Sequence, residues 1–139
     1  MHAGEHAQIQ EIFRRENRSF LQYVSQSTPW SSPSDRKLVD TIDALAKEEQ
    51  QALVSLAKWM DAHRIAIPYL GAFPTRFSNY NFIDIRKLLV PLIVEQKKEL
   101  DDLRHGSEAV PEGPLKVQVN NLVALNEKHL AEMMSCATV

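Results

Sequence analysis

The chain has 139 residues, 44% of them hydrophobic, and a formal net charge of −2, which suits one domain with an ordinary core. This charge gives no electrostatic reason to expect nucleic acid or an anionic membrane as a partner. Cys136 is the only cysteine, so a disulfide framework is excluded and a reducing compartment is favoured. No stretch approaches the roughly 18 apolar residues of a membrane helix, and the first residues lack a secretory signal. We therefore expect a single cytoplasmic domain.

Hydrophobic spacing predicts two helices in the first half of the chain. The first covers about residues 5–26, because apolar side chains recur there at intervals of three and four: Ile9, Ile12, Phe13, Phe20, Tyr23 and Val24. The second covers about residues 33–64. Its start is marked by Ser32, which can cap a helix, and by Pro33, which suits a first helical turn.

The second half of the chain predicts a long connection and two more helices. Residues 65–80 are interrupted by Pro68, Gly71 and Pro74, yet they are rich in apolar and aromatic side chains, so we expect this crossover to pack across the molecule. The third helix covers about residues 81–104 and contains Pro91, which should kink it or widen a turn. The fourth covers about residues 114–135 and opens on Pro114.

The lengths of the connections predict the topology. The first and third links are short and should join antiparallel neighbours, whereas the long middle link can join two parallel helices. The sequence therefore predicts an all-α chain with two antiparallel helix pairs joined by a long crossover.

Polar residues interrupt the apolar faces of these helices at matching places. Two segments read as copies of each other, one around Glu49 and one around Asn126 and His129. Glu16 occupies the same inward phase on the first helix, between Phe13 and Phe20. Burying such groups is costly unless they are paired or bind something, so a function is most readily expected there.

With these features the chain resembles the ferritin-like superfamily, which includes bacterioferritins and rubrerythrins. The resemblance covers about residues 7–135 and rests on helix order, the crossover and the spacing of inward polar residues. It implies one Glu from each of the first and third helices and a Glu-x-x-His pair from each of the other two. In that family these residues hold two iron or manganese ions, commonly for oxidation with oxygen or peroxide and sometimes for protection against stress.

This chain fills only part of that ligand set. Glu16 and Glu49 match, but Ala52 stands where the second helix would supply a His, and Asn126 stands at the Glu position before His129. On the third helix two choices stay open. The run Glu95-Gln96-Lys97 echoes Glu16-Asn17-Arg18 and nominates Glu95, whereas a straight helix would turn Gln96 and Glu99 inward.

The incomplete set predicts a degenerate metal site. Its candidate ligands are Glu16, Glu49, Glu95 and His129, with Asn126 and Glu99 as weaker candidates. Missing carboxylates leave the charge of a second ion uncompensated, so we expect at most one iron, manganese or zinc ion and no ferroxidase activity. Two alternatives stay open: a hydrogen-bonded polar core without metal, and an active iron or manganese oxidase with a full dinuclear site.

Two further functions come from other classes. The crossover aromatics Tyr69, Phe73, Phe77 and Tyr80 could anchor a partner protein, and the resemblance makes a homodimer an expectation. The small Ala52 could instead leave room beside His129 for a small molecule, in a space that is polar on one side and apolar on the other.

Overall fold

The computed structural model describes residues 3–27 and 29–137. The prediction of an all-α chain is confirmed, since these ranges contain no strand and only an isolated bridge between Trp30 and Asp84. The described residues form five α-helices and two short 3-10 helices at Pro33–Asp35 and Thr75–Tyr80: α1 Ala3–Asn17, α2 Phe20–Gln26, α3 Arg36–Ala62, α4 Ile85–Ala109 and α5 Pro114–Ala137. Among them is no helix with the length and hydrophobicity needed to cross a membrane.

The predicted first helix is in fact two helices, because the chain breaks at Arg18 and Ser19. Ser19 has an extended backbone, and its hydroxyl accepts a hydrogen bond from the Gln22 N–H, so it is the N-cap of α2. The apolar face continues across the break, since Phe13 and Phe20 are both buried. Hydrophobic spacing alone therefore predicted one continuous helix.

The other boundaries differ from the predicted ones by smaller amounts. The second predicted helix agrees with the Pro33–Asp35 turn followed by α3, and the fourth agrees with α5. The third begins four residues late, because Phe82 has a positive φ of 65° and Asp84, not Asn81, caps α4 through the Arg86 N–H. The crossover is consequently longer than predicted, covers residues 63–84, and contains the 3-10 helix Thr75–Tyr80.

Hydrogen bonds between helices give their relative directions. In three pairs of helices, residue numbers that increase along one helix bond to residue numbers that decrease along the other, which makes each pair antiparallel. This holds for α2 against α3, for α1 against α4 and for α4 against α5: Ser19–Glu49 and Ser25–Asp43; Gln8–Gly106 and Arg15–Glu99; Gln96–Asn126 and Ser107–Asn120. Gln10 of α1 donates to the Ala66 carbonyl just after α3, and Ser19 beyond the end of α1 donates to Glu49, so α1 runs against α3 as it does against α4. The crossover therefore joins two helices, α3 and α4, that run in the same direction.

The buried apolar side chains fall into two clusters. The first cluster gathers residues near the α2 end and the crossover: Phe20, Leu21, Val24, Leu38, Ile42, Leu45, Ala46, Phe77, Ile85, Leu88, Leu89, Leu92 and Met133. The second cluster gathers residues near the other end: Ile9, Ile12, Phe13, Leu53, Leu56, Met60, Ile65, Leu103, Val110, Leu115, Val119 and Leu122. Along α3, α4, α5 and the consecutive helices α1 and α2, a buried polar residue lies where the side chains change from one cluster to the other.

Candidate functional site

A layer of buried polar residues separates the two apolar clusters. We call it the polar layer, and its members are each at most 4% exposed: Glu16, Gln22, Glu49, Gln96, Asn126 and His129. Five of the six lie three or four residues from an apolar core residue of the same helix, and Gln22 lies on α2 between the core residues Leu21 and Val24. The helical repeat that builds the core therefore also brings these polar groups together.

One half of the polar layer is organised around Glu16. Its Oε1 accepts a hydrogen bond from Asn126 Nδ2 at 3.0 Å, and Asn126 Oδ1 accepts one from Gln96 Nε2 at 2.7 Å. Asn126 Nδ2 also donates to the Leu122 carbonyl at 2.9 Å. Two amides thus occupy inward positions of α4 and α5 and connect them to the carboxyl group of α1.

The other half is organised around Glu49. Its Oε1 accepts hydrogen bonds from Ser19 Oγ at 2.7 Å and from Gln22 Nε2 at 2.9 Å. The same Gln22 Nε2 donates to the Ala46 carbonyl at 2.9 Å, and its Oε1 accepts from Gln50 Nε2 at 2.7 Å. The break between α1 and α2 supplies one donor to Glu49, and the first turn of α2 supplies the other.

His129 lies at the edge of the layer and is oriented by Glu48. His129 Nε2 lies 2.9 Å from Glu48 Oε1, and Lys128 Nζ lies 3.0 Å from both carboxylate oxygens of Glu48. Because an ionised carboxylate only accepts hydrogen bonds, Nε2 carries the hydrogen and Nδ1 keeps its lone pair. Burial lowers the pKa of His129, and the hydrogen bond to Glu48 opposes that effect only in part.

Three buried side-chain atoms in the described part of the chain have no hydrogen-bond partner: Glu16 Oε2, Glu49 Oε2 and His129 Nδ1. All three can donate a lone pair. Burial, followed by the charge of Glu49, raises the pKa of Glu16 well above its ordinary value. Burial also raises the pKa of Glu49 to about 7, against the opposing hydrogen bonds from Ser19 and Gln22. The pair therefore resists carrying two negative charges.

The structure brings together only some of the predicted metal ligands. Glu16, Glu49, Asn126 and His129 lie in the polar layer, whereas Glu95 lies outside it and pairs with Arg76 of the crossover. Glu99, the other weaker candidate besides Asn126, is partly buried and pairs with Arg15.

Gln96, not Glu95, is the inward residue of α4, as a straight helix predicts. Leu92, Gln96 and Leu100 are buried at every fourth position, so α4 keeps its phase past Pro91. The rotation of the helical face that would have turned Glu95 inward does not occur.

Two divalent ions do not fit these residues. Ala52 packs against the second apolar cluster and offers no ligand, and Gln96 and Asn126 contribute neutral amides where the resemblance implies carboxylates. Within residues 3–27 and 29–137, no three His, Cys, Asp or Glu side chains converge as a bound ion requires. Glu16, Glu49 and His129 each offer one unpartnered lone pair of a type that a metal ion accepts, but their side chains do not converge on one point.

Sequence reasoning missed three residues that build this site: Ser19, Gln22 and Glu48. A signal existed for the first two, because Ser19-x-x-Gln22 matches a capping-box pattern for a helix start. No local signal identifies Glu48, which the sequence shows only as the neighbour of an inward Glu49.

The crossover aromatics are mostly packed inside the molecule. Phe77 is buried, and Phe73 and Tyr80 pack against the first apolar cluster, while Tyr69 is 91% exposed. Tyr23 and Phe20 hold these rings through edge contacts, such as 5.4 Å between the centroids of Tyr23 and Phe73. Of the four predicted anchors, only Tyr69 remains fully available to a partner.

Comparison with known proteins adds no relative to this picture. No family model matches the sequence, and neither the curated proteins nor the solved structures contain a significant match. The function is therefore argued from the polar layer itself.

Proposed function

We propose that the chain is a ferritin-like bundle whose core binds one divalent cation, and no second, through Glu16, Glu49 and His129, without dinuclear ferroxidase activity. The observation that carries the proposal is the set of buried atoms without a partner in the described residues. Each of the three belongs to one of these side chains, and each offers a lone pair. Native proteins seldom leave buried polar atoms unpaired without a reason, and an ion is one such reason.

The arrangement of the helices supports the ferritin-like part of the proposal. Helices α3 and α4 run in the same direction and are joined by residues 63–84, as the long crossover of that superfamily requires. Their polar residues Glu49 and Gln96 both lie where the helix passes from one apolar cluster to the other. The extra break at Ser19 departs from a plain four-helix bundle.

The ligand chemistry supports a single ion. Two carboxylates can neutralise one divalent charge in a buried site, and a mixed carboxylate and imidazole set suits iron, manganese or zinc. Glu48 holds His129 as a metal-ligating imidazole is usually held, with its other ring nitrogen donating to a carboxylate. A bound ion would supply the positive charge that lets Glu16 and Glu49 lose their protons together.

Two amide side chains in the polar layer disfavour a second ion. Gln96 Nε2 and Asn126 Nδ2 are hydrogen-bond donors directed at oxygens of the polar layer, and they add no negative charge. Without further carboxylates, a second divalent ion would remain uncompensated in a medium of low dielectric constant. We therefore expect no dinuclear oxidation chemistry.

Metal content after loading tests the proposal. Untagged protein is incubated separately with iron(II), manganese(II) and zinc(II), desalted and measured by elemental analysis. We expect about one equivalent for the wild type, loss of binding in Glu49→Gln and Glu16→Gln, and retention in the matched control Glu95→Gln, which alters a carboxyl group outside the layer.

Two results would overturn the proposal. If no metal binds under any loading, the polar layer is a structural hydrogen-bond network. If two equivalents of iron bind and iron(II) is oxidised well above the rate in buffer alone, the site is dinuclear and active.

A further inference from the structure

A cavity of about 490 Å³ opens where the end of α2 lies beside the segment that leads from the crossover into α4. Four aromatic rings line it, those of Tyr23, Trp30, Tyr80 and Phe82, together with the amide side chain of Asn81. Within residues 3–27 and 29–137 no charged side chain lines it. We call it the aromatic pocket, and its volume lies within the roughly 300 to 1,000 Å³ of ligand-binding sites.

Two rings of the aromatic pocket are exposed to solvent, at 65% for Trp30 and 78% for Phe82. Their centroids lie 6.4 Å apart, with the ring planes at 61°. The backbone fixes both residues, because the Ile85 N–H donates to the Trp30 carbonyl at 2.8 Å and Phe82 has a φ of 65°. A positive φ is strained for a bulky residue. Since the ring of Phe82 stays mostly in water, its burial does not explain that strain.

The rings of the aromatic pocket differ from two neighbouring rings of the crossover. The guanidinium carbon of Arg18 lies 5.1 Å from the centroid of Phe73, and that of Arg76 lies 4.8 Å from the centroid of Phe77. In the part of the chain that the structure describes, no cation lies over a ring of the pocket. These faces are therefore left open to a partner.

The unpaired polar groups of the aromatic pocket include two that only donate hydrogen bonds. The Tyr23 hydroxyl donates to Asn81 Oδ1, which leaves Nδ2 of that amide as a donor. The indole N–H of Trp30 can only donate. Neither Asn81 Nδ2 nor the indole N–H bonds to another described residue. A fitting partner is therefore uncharged, carries apolar rings and presents hydrogen-bond acceptors.

An extended proline-rich segment has these properties. Its rings are apolar, its prolines have no N–H, and its carbonyl groups make no internal hydrogen bonds. We propose that the aromatic pocket binds a proline-rich segment of a partner protein, with Trp30 and Phe82 against the proline rings and Trp30 and Asn81 donating to the carbonyl groups. Grooves lined by aromatic side chains are a recurring way to bind such segments. This proposal does not depend on the metal site.

Tryptophan fluorescence tests the proposal with a proline decamer. The chain has two tryptophans, and Trp59, which stacks on His63 at 4.3 Å between centroids, does not line the pocket. In a Trp59→Phe background the emission therefore reports on Trp30 alone. We expect a saturable change with the proline decamer and none with a glycine-serine decamer of the same length.

Two variants and one control locate the binding. Phe82→Asn removes a ring but suits the backbone, since Asn adopts a positive φ more readily than Phe. The dissociation constant should rise by at least about 10-fold, while the midpoint of denaturation should not fall. Asn81→Asp keeps an acceptor for Tyr23 but loses the donor, and should weaken binding by about 3- to 10-fold. Tyr69→Ala removes a ring that is 91% exposed outside the pocket and should change nothing.

Three results would overturn the proposal. The first is no saturable response to the proline decamer, or an equal response to the glycine-serine decamer or in Phe82→Asn. The second is binding of tetramethylammonium instead, strengthened by Asn81→Asp, which would make the pocket a cation site. The third is Trp30 emission that changes with protein concentration and not with peptide, which would assign the pocket to a second copy of the chain.

Discussion

Glu16 and Glu49 are buried to the same degree, yet the chain holds them in different ways. Glu16 receives one side-chain hydrogen bond, from Asn126, whereas one oxygen of Glu49 receives two, from Ser19 and Gln22. The donors to Glu49 come from the break between α1 and α2 and from the first turn of α2. The donor to Glu16 comes from α5, at a position where the resemblance implies a carboxylate.

The difference between Glu16 and Glu49 shows how a break between two helices can supply a hydrogen-bond donor to a buried carboxyl group. Ser19 is free to donate to Glu49 because its own N–H bonds the Glu16 carbonyl and its oxygen accepts from Gln22 N. Hydrogen bonds to the charged form offset part of the cost of burial. Burial raises the pKa of both groups. At Glu49 the bonds from Ser19 and Gln22 oppose this, and the pKa rises to about 7, whereas Glu16 has one such bond and the charges of Glu49 and Glu99 raise its pKa further.

Removal of Asn126 should give the largest loss of stability. Asn126→Ala leaves Glu16 Oε1 without its partner, leaves Gln96 Nε2 only its 3.4 Å bond to the main-chain carbonyl of residue 126, and opens a cavity between α1 and α5. We expect the free energy of unfolding to fall by about 4 kcal/mol, measured by chemical denaturation at pH 7. The control Asn120→Ala removes an exposed amide of the same helix and should cost about 1 kcal/mol. Equal losses would show that Asn126 does not support Glu16.

The pH dependence of stability separates the two carboxyl groups. An unfolded Glu loses its proton near pH 4.5, whereas folded Glu49 keeps it until about pH 7. The contribution of Glu49 to stability should therefore be fully present below pH 4.5 and fall by about 3 kcal/mol as the pH rises to about 7.

Glu49→Gln removes this titrating group and should flatten that part of the curve in metal-free protein. Denaturation in the presence of a chelator from pH 4.5 to 8 provides the measurement. In Glu49→Gln, the remaining decrease of the free energy of unfolding with pH should come from Glu16, whose raised pKa acts in the same direction. Adding Glu16→Gln should remove that decrease. A wild-type stability that rises over this interval would contradict both assignments.

Ser19→Ala tests the role of the break itself. The variant loses the N-cap of α2, worth about 1 kcal/mol, and one donor to Glu49, worth about another 1 kcal/mol. The pKa of Glu49 should also rise, because a hydrogen bond to its charged form is gone. Ser25→Ala, which removes a longer hydrogen bond of α2 at 3.2 Å, is the control and should leave the titration of Glu49 unchanged.

The fold was largely predictable because apolar spacing dominates the sequence. The order of the helices and the long crossover follow from that spacing and from the prolines. The break at Ser19 was missed because Phe13 and Phe20 keep a continuous apolar face across it. At that point a capping pattern of four residues starts a new helix, although the apolar periodicity continues across it.

The candidate site was less predictable, because its partners are set by tertiary contacts. Glu16, Glu49, Asn126 and His129 were identified by their phase on apolar helices, and all four lie in the polar layer. Glu95 was nominated by local similarity to Glu16-Asn17-Arg18, while helical phase indicated Gln96, which is the buried residue. Glu48 has no inward phase and reaches His129 only through the packing of α3 against α5.

Substitutions of Glu48 and Lys128 should have the smallest effects on stability, and they test selectively whether Glu48 orients His129. Glu48→Ala and Lys128→Ala both remove the ion pair between these residues, but only Glu48→Ala also takes the acceptor from His129 Nε2. We expect Glu48→Ala to lower the free energy of unfolding by about 1 kcal/mol and Lys128→Ala to change it little, since exposed ion pairs contribute little. Nitrogen NMR of His129 should show the Nε2–H form in the wild type and Lys128→Ala, and a mixture of tautomers in Glu48→Ala. The same mixture in all three proteins would mean that Glu48 does not orient the imidazole, and that Nδ1 is not held ready for a ligand.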